Sequence, residues 1–202
     1  MKVTIYIEGG GPGPKADARF RESWSTFFGR SGLKKPPAIR RGKGRRETHD
    51  DYANHLRNRP TSGLALLLVD SEDLVAPGKS VWQHLKERKD DSLAKPAGAA
   101  QDDAFLMICC METWFLADRK ALAAFFGQGF NEKAIPAWAK LEEVPKRDVL
   151  DALDRSTKAC GPRQYAKGEL SFDLLAQIDP NQVEQQCPSA KNLLDRLRTL
   201  LS

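Results

Sequence analysis

Three carboxylates fall within four residues, Asp70, Glu72 and Asp73, directly after the six apolar residues Leu64 to Val69. A run with no polar face must be covered on both sides, as the inner strand of a parallel sheet is. Its acids then lie at the C-terminal edge of the sheet, where open α/β folds bind ligands. If the chain stays extended past Val69, Asp70 and Glu72 point the same way. A fourth acid, Glu8, ends the short β-branched run Lys2 to Ile7, in which Val3, Ile5 and Ile7 alternate with Thr4 and Tyr6. With these two strands as neighbours, Glu8, Asp70 and Glu72 converge. Like charges about 4 Å apart repel by roughly 4 kcal/mol at an effective dielectric near 20, so the cluster should bind a cation or take up a proton. Donors that are all oxygen favour Mg2+ or Mn2+ over zinc.

Positioning these acids requires alternating strands and helices. Phe20, Trp24, Phe27 and Phe28 recur at helical spacing and predict an amphipathic helix from about Asp17 to Gly32, its aromatic stripe turned to the core. A short strand at Ala38 to Arg40 and a helix at about Thr48 to Arg57 follow, and the basic stretch between them offers Arg45 and Arg46 as phosphate contacts. A short helix carries Val81, Trp82 and Leu85, the polar segment Lys86 to Gln101 reads as an exposed excursion, and Ala104 to Cys110 as another buried strand. A helix is then expected to run from Met111 through Phe126 to Gly127. Glu112 in its first turn is either a favourable dipole partner or a further acid at the shared edge. Helices at Asp148 to Thr157, Leu170 to Ile178 and, capped by Ser189, to the end complete an α/β sandwich. Residues 1–130 form the expected core and 131–202 a helical extension packed on it.

The totals limit the function classes. With 202 residues and 41% hydrophobic composition the chain can bury a real core. Thirty-two basic against 27 acidic residues leave +5, which permits a polyanionic partner without requiring one. No run is long enough to span a membrane and no signal segment is evident, so a cytoplasmic protein is expected. The four cysteines lack zinc-site spacing and should be reduced, with Cys109 and Cys110 in the core. Cysteine catalysis is disfavoured because an apolar run raises a thiol pKa. His49, His55 and His84 accompany no nucleophile elbow and are expected to face solvent. Gly9-Gly10-Gly11-Pro12-Gly13-Pro14-Lys15 lacks the ending of a phosphate-binding P-loop, and its prolines remove two donors such a loop needs. It reads as a tight strand-to-helix turn that leaves space above Glu8.

With Glu8, Asp70 and Glu72 at strand ends and Met111-Glu112-Thr113-Trp114 after the fourth strand, the chain resembles a Toprim domain, the module of topoisomerases and primases. Ile7-Glu8-Gly9-Gly10-Gly11, Leu68-Val69-Asp70-Ser71-Glu72-Asp73, Cys110-Met111-Glu112-Thr113-Trp114, Phe125-Phe126-Gly127-Gln128-Gly129-Phe130 and Tyr165-Ala166-Lys167-Gly168 before Ser171-Phe172 make nearly the whole chain similar to small bacterial Toprim-like proteins of the domain-of-unknown-function 4276 type. The resemblance implies a Toprim-like (Rossmann-like), mostly parallel sheet of about four strands between helices, and metal-dependent phosphodiester chemistry. Glu72 stands where Toprim proteins carry a second Asp, with Asp73 as the fallback ligand. A separate ATPase partner in a phage-defence system is implied too, as for Toprim nucleases of the overcoming-lysogenization-defect family.

The expected function is that of a Mg2+- or Mn2+-dependent nuclease, its metal on Glu8, Asp70 and Glu72, with Glu8 either ligand or general base. Lys15, Arg45, Arg46 and Lys167 are candidate phosphate contacts. The alternative is a non-catalytic module docking on an ATPase, and a homo-oligomer is left open. A topoisomerase is disfavoured because the strand-passing tyrosine domain has no counterpart.

Overall fold

Val3, Ile5 and Ile7 alternate along the first strand, β1 (Lys2–Glu8), and all three are buried on one face of the sheet. In the computed structural model, which describes residues 2–9, 14–58 and 63–201, β1 pairs in parallel with β2 (Ala38–Gly42) on one side and β3 (Gly63–Asp70) on the other. The fourth strand, β4 (Ala104–Met107), pairs in parallel with β3, giving the order β2-β1-β3-β4. The molecule is therefore α/β, with a four-stranded parallel sheet flanked by helices.

The unbroken apolar run of β3 is explained by the two cores it separates. Leu66 and Leu68 join β1 in a core with α1 (Pro14–Arg30), while Ala65, Leu67 and Val69 face a second core with α2 (Arg45–Arg57) and α3 (Val81–Glu87). Phe20, Trp24, Phe27 and Phe28 of α1 are fully buried, each worth about 1.5–3 kcal/mol of apolar burial. The stripe is core, as its spacing predicts. The first core also takes in α4 (Glu112–Ala117), α5 (Arg119–Phe126), α6 (Lys146–Thr157), α7 (Glu169–Gln177), α8 (Pro180–Gln186) and α9 (Pro188–Leu201). Leu193, Leu194 and Leu197 of α9 belong to the same apolar cluster as Val3 and Ile5 of β1.

Four expectations need correction. Strand β4 stops at Met107, three residues early, because its partner β3 ends at Asp70 and the last ladder pair is Asp70 with Met107. The helix expected from Met111 to Gly127 is two helices, broken at Asp118. That carboxylate accepts from Ala121 N at 3.0 Å as the cap of α5 and from Asp179 N at 2.9 Å. Ser189 does not cap α9, which begins at Pro188; its backbone N donates to Glu142 Oε1 at 3.0 Å, as does its hydroxyl. Finally, the polar segment after α3 is not wholly exposed. Leu93 and Ala99 are buried, and Trp82 Nε1 donates to Ala100 O at 2.9 Å. Polar composition there hid two apolar anchors.

Candidate metal centre

Because β1, β3 and β4 are adjacent and parallel, their C-terminal ends open on one cavity of about 280 Å3. Glu8, Asp70, Glu72 and Glu112 line it, with Lys43 and Lys167 at its rim and Met107, Met111 and Phe172 as its apolar wall. Asp70 ends β3 and is only 6% exposed; its Oδ1 accepts from Met111 N at 3.0 Å, at the start of α4. Its own N donates to Glu8 Oε2 at 3.2 Å, joining the first two acids. Burial first, then the charges of Glu8 and Glu112, push the Asp70 carboxyl well above the ordinary carboxylate range. Burial also raises Glu8, against the pull of Arg45. Such carboxyls either hold protons or share a cation.

Glu72 reaches the cavity by a different route from the one its spacing predicts. The chain is not extended there: Glu72 has φ 66°, in the left-handed region, and its N donates to Cys109 O at 2.7 Å across to the end of β4. Its carboxylate is ion-paired with Lys146 at the start of α6, with Arg45 Nη1 at 3.9 Å. The preceding turn is pinned by His84 and Arg88, whose side chains each donate to Ser71 O at 3.0 Å. His84 is thus a buried structural group, correcting its solvent-facing expectation, and His55 is partly buried with its Nδ1 2.9 Å from the Tyr6 hydroxyl.

Glu112, fully buried, faces the shared edge. Its Oε1 accepts from the Tyr165 hydroxyl at 2.7 Å and lies 3.7 Å from Lys167 Nζ, while its Oε2 is buried without a hydrogen-bond partner. Burial lowers the Lys167 pKa, but the charges of Glu112 and Asp70 outweigh it and the net shift is upward. Lys167 stays an ammonium.

The remaining expected residues disperse. Asp73 does not line the cavity and pairs instead with Arg88. Lys15 is exposed in the first turn of α1, outside the cavity lining. Arg45 is held by Asp91 and donates to Asp70 O at 3.0 Å, so it braces the strand end. Arg46 donates to Asp91 O at 2.8 Å and is otherwise exposed. Of the glycine turn, Gly9 is described, and residues 10–13 lie outside the described residues. Arg41, missed from sequence, holds Gly9: its Nε donates to Gly9 O at 3.0 Å and its guanidinium lies 5.4 Å from the Phe20 ring centroid. The roles of Lys146 and Tyr165 leave no local signal, since they act on Glu72 and Glu112 across 74 and 53 residues, and Ser171 acts through Tyr165.

Among the described residues, no three His, Cys, Asp or Glu side chains are gathered so as to hold a metal ion as they stand. The acids ring the cavity rather than closing on one point. Burial pushes the Cys109 thiol up to about 11 and lifts Cys110 further still, with Glu112 and Asp70 adding to the latter, so neither is a nucleophile at neutral pH. No described helix is long and apolar enough to cross a membrane.

A family model described as "Domain of unknown function (DUF4276)" matches residues 22–198. Neither curated proteins nor solved structures give a match.

Proposed function

We propose that this chain, which belongs to the DUF4276 family of domains of unknown function, is a metal-dependent phosphodiesterase acting on nucleic acid, built on a Toprim-like sheet. The observation that carries this reading is the arrival of acids from two strand ends, Glu8 and Asp70, and from the first turn of α4, Glu112, at one recessed cavity, with one oxygen of Glu112 buried and unpartnered. The donor set is oxygen only and fits a hard divalent cation such as Mg2+ or Mn2+. Glu8 and Asp70 would hold it, with a third acid of the same lining completing the site. A cation bound there supplies Lewis-acid polarisation and an acidified water.

The chain's own residues supply the rest. Lys167 and Lys43 put positive charge at the mouth, where a phosphodiester would lie. Arg45 keeps Asp70 in place through its carbonyl. The Glu8 carboxyl, raised by burial, holds its proton more tightly than an ordinary carboxyl and is placed to exchange it with a reacting group. The apolar wall of Met107, Met111 and Phe172 excludes water from one side.

The test is calorimetric titration of Mn2+ and Mg2+ into the full chain and into Glu8→Gln and Asp70→Asn, with plasmid DNA and RNA cleavage on the same samples. Binding and cleavage by the wild type, both reduced at least about 100-fold in each variant, are expected. Wild-type protein that binds neither ion would sink the catalytic reading and leave a module that docks on an ATPase. Binding without cleavage would retain the metal site and send the search to another substrate or to the separate ATPase partner.

A further inference from the structure

The wall of the cavity behind Glu112 is a chain of hydrogen bonds for which the proposed reaction has no use. Gly168 N donates to Ser171 Oγ at 3.2 Å, the Ser171 and Tyr165 hydroxyls lie 2.9 Å apart, and Tyr165 Oη donates to Glu112 Oε1 at 2.7 Å. Its direction is set by proton count. A carboxylate only accepts, so the single phenolic proton goes to Glu112, and the Ser171 proton then has to go to the Tyr165 oxygen. Each donor polarises the next. Burial and the charge of Glu112 push the Tyr165 pKa upward, so the phenol keeps its proton at any physiological pH.

This relay has a specific effect on Glu112. It fixes Oε1 and leaves Oε2, in a side chain with no exposed surface, without a partner. The neighbouring Cys110 thiol is a weak donor at best. Glu72, the acid expected at this position, is by contrast committed to Lys146 and 27% exposed. An oriented carboxylate with one free, dry oxygen, on the same cavity lining as Asp70 and Glu8, is what a cation site requires of a ligand, and hydrogen bonds to the remote oxygen are what hold such ligands in place.

We propose that Glu112, in preference to Glu72, completes the cation site with Glu8 and Asp70, and that Tyr165, backed by Ser171, is its positioning residue. The assignment rests on the metal-dependent reading of the same cavity. Tyr165 touches no reacting atom; it acts through Glu112. Lys167, two residues along the same link, brings a cation to the same carboxylate from the open side.

Mn2+ titration calorimetry on the full-length chain tests this, with Tyr165→Phe, Glu112→Gln, the double variant, Glu72→Gln and Ser171→Ala, each checked for an intact fold by circular dichroism. Tyr165→Phe keeps the ring and should weaken Mn2+ binding about 10–100-fold, as loss of an outer hydrogen bond does at other metal sites. Glu112→Gln should weaken it at least as much, and the double variant no further, because the phenol acts only through the carboxylate. Glu72→Gln should stay within about 3-fold of wild type. Should Tyr165→Phe fail to fold, Ser171→Ala cuts the same relay one link upstream and is expected to weaken binding several-fold. Wild-type affinity in Tyr165→Phe, or losses that multiply in the double variant, would overturn the positioning role while the metal reading stands. A loss in Glu72→Gln larger than in Glu112→Gln would return the ligand role to Glu72. Wild-type protein without Mn2+ affinity would remove both readings together.

Discussion

Asp70 carries the largest electrostatic burden at the sheet edge, since it is buried between Glu8 and Glu112 with its carboxyl raised well above the ordinary range. A folded chain that binds this proton more tightly than the unfolded chain gains stability from it at low pH. That contribution is complete below the unfolded value, about 3.9, and is lost as pH rises through the folded one. Without divalent ions, Asp70→Asn should therefore raise the Tm at pH 7.5 by a few degrees, at about 2–4 °C per kcal/mol for a chain of this size. The advantage should shrink toward pH 4, and saturating Mn2+ should reverse the order by stabilising the wild type through binding. Scanning calorimetry at both pH values, with chelator and with Mn2+, reads all three effects. A metal-free variant melting below the wild type at pH 7.5 would show that Asp70 is stabilised by its neighbours and not strained by them.

At the scale of elements, the site depends on how closely Gly9, directly after β1, approaches α1. A Cβ on Gly9 would lie 2.3 Å from the Phe20 ring, which is itself packed against Trp24, Phe172 and the Arg41 guanidinium. Phe20 has nowhere to go. Gly9→Ala should cost about 1–3 kcal/mol through overpacking, seen as a lower urea midpoint. Gly29, in the exposed face of α1 with nothing within 4 Å of an added Cβ, is the contrast. Gly29→Ala should stabilise by about 0.5–1 kcal/mol, because an alanine there loses less entropy on folding. Equal effects at the two positions would show that close packing at Gly9 is not what its position demands. The break at Asp118 belongs to this scale too: one carboxylate capping α5 and accepting from Asp179 N outweighs the helical propensity of the surrounding residues.

For the whole molecule, the consequence of shared burial is cooperativity. The first core draws on β1, β3 and β4 and on every helix from α4 to α9, so the C-terminal helices cover the sheet. Val183, Ala190, Leu193, Leu194 and Leu197, all fully buried, would be lost from a chain ended after Ile178. That shortened chain should show no cooperative thermal transition, whereas the full chain should unfold in a single step by circular dichroism and tryptophan fluorescence alike. Two separated transitions in the full chain would mark the C-terminal helices as an independent unit.

What could be read from the sequence was whatever local physics dictates. Six apolar residues in a row force a doubly covered strand, alternation in β1 forces a buried face, and a strand ending in acids places those acids at a sheet edge. Glu8 and Asp70 were legible on those grounds, and the parallel order β2-β1-β3-β4 makes their strand ends neighbours. Only tertiary structure decided the rest. Whether Glu72 points with Asp70 depends on where β4 ends, because the left-handed turn at Glu72 is fixed by a bond to Cys109 O. Whether Glu112 is a helix-end charge or a site acid depends on Tyr165 and Ser171, 53 and 59 residues away along the chain. Long-range partners leave no periodic trace in a sequence, since any polar residue on a loop satisfies the local rules and only the packed sheet and helices select which of them meet.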